Sequence, residues 1–278
     1  MSFRDRGIEI KTREQILLMR AAGLVVGRTL ELLRKEVRPG ISTGELDAIA
    51  EDHIRSSGAV PSFKGYHGFT GSICTSVNAE IVHGIPGERV LAEGDMISID
   101  CGAIVDGWHG DAAITVPVGE VDPALLDLAR VCEESMWRGF AAARLGGRLG
   151  DISAAIERHV RSVAGDGPGY GIVRDFVGHG IGSAMHQPPN VPNFGRPGRG
   201  PRLVDGMALA VEPMLTLGKQ DNHTLEDNWT VVTDDGLPAA HTEHTFTPTP
   251  EGPWILTALD GGAVKLSGLG VSCGALAD

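Results

Sequence analysis

The sequence predicts an α+β fold made of two similar halves, and three observations point to it. The order helix, helix, strands occurs twice along the 278 residues. The second helix of each half reads alike: GELDAIAEDHI from Gly44 aligns with GDISAAIERHV from Gly150, with Gly, Ala, Glu and His in register. Two amphipathic helices also reach such a pattern by chance, so the duplication is an expectation for the fold to test. The third observation is SIDCGAIVDGWHGD, Ser98 to Asp111, which alternates, turns at Asp106-Gly107 and returns. An Asp-Gly pair between alternating runs signals a hairpin, because both turn residues need positive φ. Two α+β halves facing each other would place a site between them.

Taken in order, Thr12 and Gln15 read as a capping box. Apolar residues at Ile16, Met19, Gly23, Val26, Leu30 and Leu33 then carry a helix to Glu36. Pro39-Gly40 ends it. Ser42 and Glu45 form a second capping box, opening a helix with Leu46, Ile49, His53 and Ile54 that stops before Gly58. Strands and turns fill Ser72 to Val118. Asp122-Pro123 reads as an N-cap with proline at N1, starting a long helix, and Gly150-Asp151 opens another. After Gly165 the chain turns to glycine- and proline-rich loops and strands up to Leu256. The expectation is one domain over 1–256, with halves over 12–118 and 119–256. The weakly periodic stretch 257–278, TALDGGAVKLSGLGVSCGALAD, is expected to be a mobile, glycine-rich C-terminal tail.

Composition is that of a globular protein, 42% hydrophobic and 22% charged. A net charge of −12 argues against a nucleic-acid-binding surface and against docking on anionic membranes. No run of apolar residues is long enough to span a bilayer and no secretory core follows Met1, so a soluble cytoplasmic protein is expected. Cys74, Cys101, Cys132 and Cys273 lie far apart and read as reduced thiols.

In the hairpin, Val105 would face Trp108 and Gly102 would face Asp111, which makes Asp100 a diagonal neighbour of Asp111 on one face. The other face, with Ile97, Ile99, Cys101 and Ala103 opposite Ala112 and Ile114, suits a core. Two ionised carboxylates this close must share a proton, meet basic groups or bind metal; alternatively they are solvated strand residues. Further candidate ligands stand in unusual settings. His179 sits between glycines in VGHGIG, where the backbone can approach a ligand closely, and His186 follows. Glu212 ends the apolar strand of GMALAVEP, and Glu243 lies in the alternating HTEHTF with His241 and Thr245 on its face. A carboxylate at the end of an apolar strand is costly unless paired or metal-bound. Singly, each of these also fits a satisfied structural or loop residue.

Taken together, these segments resemble a type I methionine aminopeptidase of the pita-bread fold, from Thr12 to Leu256. The resemblance rests on YHGFTGSICTSVNAEIVHGIPG (Tyr66 to Gly87), GDMISIDCGAIVDGWHGDAA (Gly94 to Ala113), VGHGIGSAMHQPPNV (Val177 to Val191), GMALAVEPM (Gly206 to Met214), NWTVVTDDG (Asn228 to Gly236) and TEHTF (Thr242 to Phe246). It implies a central antiparallel sheet covered by helices, in two pseudo-symmetric halves. It implies five metal ligands, Asp100, Asp111, His179, Glu212 and Glu243, with Asp111 and Glu243 bridging two divalent ions. Asp100 would hold one ion, and His179 and Glu212 the other. Four carboxylates against two divalent cations balance only when the site is loaded. Oxygen donors plus one imidazole suit Mn, Fe(II), Co or Zn without selecting among them.

The implied activity is removal of the N-terminal methionine from nascent polypeptides whose second residue is small. A metal-bridging hydroxide would attack the first peptide carbonyl, with Glu212 as general base and with His83 and His186 contacting the scissile amide. Tyr66, Phe69, Cys74, Met185 and Trp229 would line the methionine pocket. Met185 stands where relatives often carry an aromatic residue, and His241 replaces a polar residue two positions before the final glutamate. The resemblance further implies a monomer without nucleic-acid or membrane partners, any ribosome contact coming from its folded surface. Two related classes fit less well: prolidase-like enzymes carry a sizeable N-terminal domain, and type II methionine aminopeptidases carry a helical insertion where Glu212 and Glu243 here stand close in sequence. A binding module that has lost its metals is the non-enzymatic alternative.

Overall fold

The computed structural model describes residues 7–163 and 169–275. Met1-Ser2 and Gly165 lie outside them. The first half contains helices α1 (Arg13–Glu36) and α2 (Thr43–Ser56) and strands β1 (Val60–Pro61), β2 (Ile73–Val77), β3 (Glu80–Val82), β4 (Met96–Val105) and β5 (Trp108–Pro117). The second contains α3 (Pro123–Ala142), α4 (Leu149–Val163), β6 (Gly171–Ile172), β7 (Gly178–Gly180), β8 (Gln187–Val191), β9 (Leu209–Val211), β10 (Met214–Thr216), β11 (Asn222–Thr224), β12 (Val231–Thr233), β13 (Ala239–His241), β14 (Glu243–Pro248), β15 (Pro253–Ile255) and α5 (Ala263–Gly268). No helix among the described residues is long and apolar enough to cross a membrane.

Local sequence chemistry sets the boundaries. Thr12 Oγ1 accepts from Gln15 N while Thr12 N donates to Gln15 Oε1, and Ser42 and Glu45 repeat the arrangement. These reciprocal bonds satisfy amides that the first helical turn leaves free. Asp122 accepts from Ala124 N, and Pro123 occupies the first helical position, where no donor is needed. At the hairpin tip Asp106 and Gly107 both have positive φ, 48° and 82°, and the register pairs Val105 with Trp108 and Gly102 with Asp111. Ile97, Ile99, Cys101, Ala103 and Ala112 are fully buried against α1 and α2 in the first half's core. A second core gathers Met136, Phe140, Ile152 and Ile156 from α3 and α4 against Leu209, Val211 and Phe246.

A set of backbone hydrogen bonds recurs in the two halves. In the first, Gly40 N, Thr43 N and Gly44 N donate to the carbonyls of Leu91, Arg89 and Gly87, and Leu91 N donates to Ile41. In the second, Gly146 N, Leu149 N and Gly150 N donate to Leu203, Pro201 and Arg199, and Leu203 N donates to Gly147. Each helix start thus leans on a loop that leads into a sheet strand, β4 in one half and β9 in the other.

The main sheet has nine strands, and its central path runs β1-β4-β5-β14-β9-β7-β8. Every pairing along it is antiparallel. The two halves therefore meet where β5 pairs with β14, with Glu243 opposite Ala113.

Where composition suggests a mobile tail after Leu256, the described residues 257–275 pack against both halves of the fold. The Arg20 guanidinium of α1 donates to the carbonyls of Leu256 at 2.7 Å, Ala258 at 2.6 Å and Leu259 at 3.0 Å. Gly23 and Gly27 admit this strap: a Cβ on either would lie 2.3–2.4 Å from the Leu256 or Thr257 carbonyl oxygen. Beyond it, Leu266 of α5 and Val271 are buried in the second core. Glycine content misled because Gly261 and Gly262, at φ 71° and 93°, make a tight turn into α5.

Candidate active site

Five neighbouring strands of the main sheet each present one of the predicted ligands. Asp100 comes from β4, Asp111 from β5, Glu243 from β14, Glu212 from the residue after β9, and His179 from β7. Residues far apart in sequence are thereby brought onto one side of the sheet. The donor atoms of Asp111, His179 and Glu243 all lie within 4.8 Å of one another, and so do those of Glu212, His241 and Glu243.

The surrounding bonds aim these side chains. His179 Nδ1 donates to the Gly180 carbonyl at 3.0 Å, which leaves the Nε2 lone pair facing Glu212 Oε1, 3.6 Å away. Asn193, fully buried, donates to the Glu212 carbonyl at 3.0 Å and fixes the backbone that carries this carboxylate. Thr245 Oγ1 donates to the Asp111 carbonyl at 2.8 Å and ties β5 to β14. Gly178 and Gly180 have a different reason from close ligand approach: a Cβ there would lie 2.3 Å from the Ala210 oxygen and 2.2 Å from the Pro188 oxygen. They let β7 squeeze between its neighbouring strands.

Charge in this cage is uncompensated by protein. Asp111 and Glu243 are buried, and Asp100 Oδ1, Asp111 Oδ1 and Glu243 Oε1 have no hydrogen-bond partner. Burial away from water pushes Asp100 up to about 7 and Glu212 up to about 8. Burial, then the neighbouring carboxylates, holds Asp111 and Glu243 well above the ordinary carboxylate range. Natural interiors pair their buried charges or let them bind metal. A carboxylate-rich cage with orphaned oxygens therefore fits divalent cations, which would reverse these shifts by stabilising the ionised forms.

Beside the cage is a pocket of about 260 Å³. Tyr66, Phe69, Cys74, Met185 and Trp229, the predicted pocket residues, line it together with Phe63. Phe69 meets Trp229 edge to face at 5.0 Å. His83 and His186 border both pocket and cage. His186 Nδ1 lies 2.9 Å from Tyr66 Oη, and its ring is 4.3 Å from that of His179. Burial lowers His83 to about 4, so it is neutral at pH 7. Phe63, His67 and Asn193 were missed as site residues from sequence; the aromatic spacing Phe63, Tyr66, Phe69 was the available signal for the first. A larger cavity of about 500 Å³ between α1 and α3 shares no lining residue with this pocket.

The model of metallopeptidase family M24 matches residues 17–249. A methionine aminopeptidase of Clostridium acetobutylicum is 53% identical over 251 residues, covering 90% of this chain and 98% of its own. The solved methionine aminopeptidase of Thermotoga maritima superposes with a TM-score of 0.87 at 41% identity, covering 90% of this chain and 99% of that one. The prolidase of Pyrococcus furiosus, at 21% identity and a TM-score of 0.72, shares the fold, and this chain covers only 66% of it. The chain belongs to metallopeptidase family M24 and, within it, to the methionine aminopeptidases, with their pita-bread fold.

Proposed function

We propose that this protein removes the N-terminal methionine from nascent polypeptides with a small second residue, using two divalent ions held by Asp100, Asp111, His179, Glu212 and Glu243. The observation that carries this reading is the meeting of an orphaned carboxylate cage with an apolar pocket. Divalent ions at such a centre supply Lewis acidity, which acidifies water, polarises a carbonyl and gives a free α-amine something to bind. Mn, Fe(II), Co and Zn all suit the donors.

The protein's own groups do the rest. Glu212, with its carbonyl fixed by Asn193, is the base that takes the proton of the attacking water and returns it to the leaving amine. Neutral His83 donates to the scissile amide without introducing a charge. With the Tyr66 hydroxyl donating to His186 Nδ1, His186 Nε2 carries a proton and becomes a second donor at the developing oxyanion. The walls formed by Phe69, Cys74, Met185 and Trp229 accept the methionine side chain and exclude water from it. With this reading goes action on emerging chains in the cytoplasm, by the protein as a monomer.

The test is release of free methionine from Met-Ala-Ser and Met-Leu-Ser by metal-stripped protein, with and without added Co(II) or Mn(II). Metal-dependent cleavage of Met-Ala-Ser with little from Met-Leu-Ser is expected. No cleavage with any metal by folded protein would overturn the reading in favour of a binding module.

A further inference from the structure

His241 is a buried imidazole that the five-ligand scheme leaves without a task. It ends β13, and its backbone is tied to the strands that carry Asp100 and Asp111. His241 N donates to Thr115 Oγ1 at 3.0 Å, and Thr115 Oγ1 donates to the His241 carbonyl at 2.7 Å. The side chain is 2% exposed, and its Nε2 has no hydrogen-bond partner. That nitrogen lies 3.6 Å from Glu212 Oε2, just as His179 Nε2 lies 3.6 Å from Glu212 Oε1. The glutamate is flanked by one imidazole at each oxygen.

A 3.6 Å gap is too long for a hydrogen bond. It is the separation of two donors that each sit about 2.1 Å from one ion, at an angle of roughly 120°. A ring nitrogen of His241 also falls within 4.8 Å of a Glu243 oxygen, so three donors converge from three different elements. A desolvated imidazole nitrogen without a partner is costly unless something binds it.

We propose that His241 is a sixth donor of the metal centre, its imidazole acting there together with Glu212 and Glu243. A second imidazole makes the centre softer than four carboxylates and one histidine, and favours Zn, Co or Fe(II) over Mn. The proposal rests on the metal-centre reading above, and its test separates the two.

The experiment is X-ray absorption spectroscopy of stripped, full-length protein loaded with one and two equivalents of Zn(II), with calorimetric titration of Zn(II) and Mn(II) in parallel. Two imidazole ligands per protein in the multiple-scattering signal are expected. His241→Gln should lose one of them and bind Zn(II) at least about tenfold more weakly, with a smaller loss for Mn(II). Circular dichroism of the metal-free variant checks that it folds; if it does not, the imidazole count of the unmodified protein decides alone. One imidazole per protein, or a count and affinity unchanged by His241→Gln, would overturn the inference while leaving the five-ligand centre intact. Failure to bind any ion would bring down the metal-centre reading itself.

Discussion

Raising the pH of the metal-free protein from 7 to 8 should lower its stability, and the cage sets the sign. Burial raises Glu212 to about 8 and Asp100 to about 7, and Asp111 and Glu243 shift the same way. In the unfolded chain these carboxyls ionise near pH 4. Above that, the folded state binds more protons than the unfolded state, so stability falls as pH rises towards the folded values. Desolvated histidines oppose this at lower pH: His83, His109 and His244 are held down to about 4 and His179 to about 3. Their opposing contribution fades once unfolded imidazoles have titrated, above about 6.5. Between pH 7 and 8 Glu212 alone costs about 1 kcal/mol, integrated at about 1.4 kcal/mol per pH unit, with Asp111 and Glu243 adding in the same direction. The assay is urea denaturation of chelator-treated protein at several pH values across that window. Glu212→Gln should flatten the slope by about 1 kcal/mol per unit, and metal-loaded protein should instead gain stability, because binding requires the ionised ligands. Metal-free stability that is constant or rises from pH 7 to 8 would refute the claim that the cage is desolvated and uncompensated.

Three further outcomes follow from the geometry. Glu212→Gln should lower kcat for Met-Ala-Ser by at least about 100-fold with KM much less affected, as loss of a general base predicts, read by steady-state methionine release. Arg20→Ala breaks the bonds to the Leu256, Ala258 and Leu259 carbonyls, and should cost about 2–3 kcal/mol in urea denaturation and speed proteolysis within 257–275. Gly23→Ala puts a methyl 2.3 Å from the Leu256 oxygen, and should destabilise by about 1–3 kcal/mol while leaving the spectroscopic metal signature unchanged.

Features encoded by short-range chemistry were legible in the sequence. Thr12 with Gln15, Ser42 with Glu45, and Asp122 with Pro123 each declare a helix start through bonds made within one turn. Asp106-Gly107 declares a hairpin, and alternation then puts Asp100 and Asp111 on one face. The rest depends on pairings that leave no local trace. Nothing between Glu212 and Glu243 announces that β14 pairs with both β9 and β5 and closes the sheet; the residue types there became informative only through resemblance. The role of Gly178 and Gly180 was misjudged because the crowding comes from β8 and β9, not from a ligand. The segment after Leu256 looked loose because its anchor, Arg20, is more than two hundred residues away in the chain.

The most direct test of the central claim is anomalous diffraction from crystals of the protein loaded with Mn(II) or Co(II). Two peaks are predicted, both in contact with Asp111 and Glu243, one reaching Asp100 and the other His179 and Glu212. Absence of anomalous density in this cage at saturating metal, or density only elsewhere on the molecule, would contradict it.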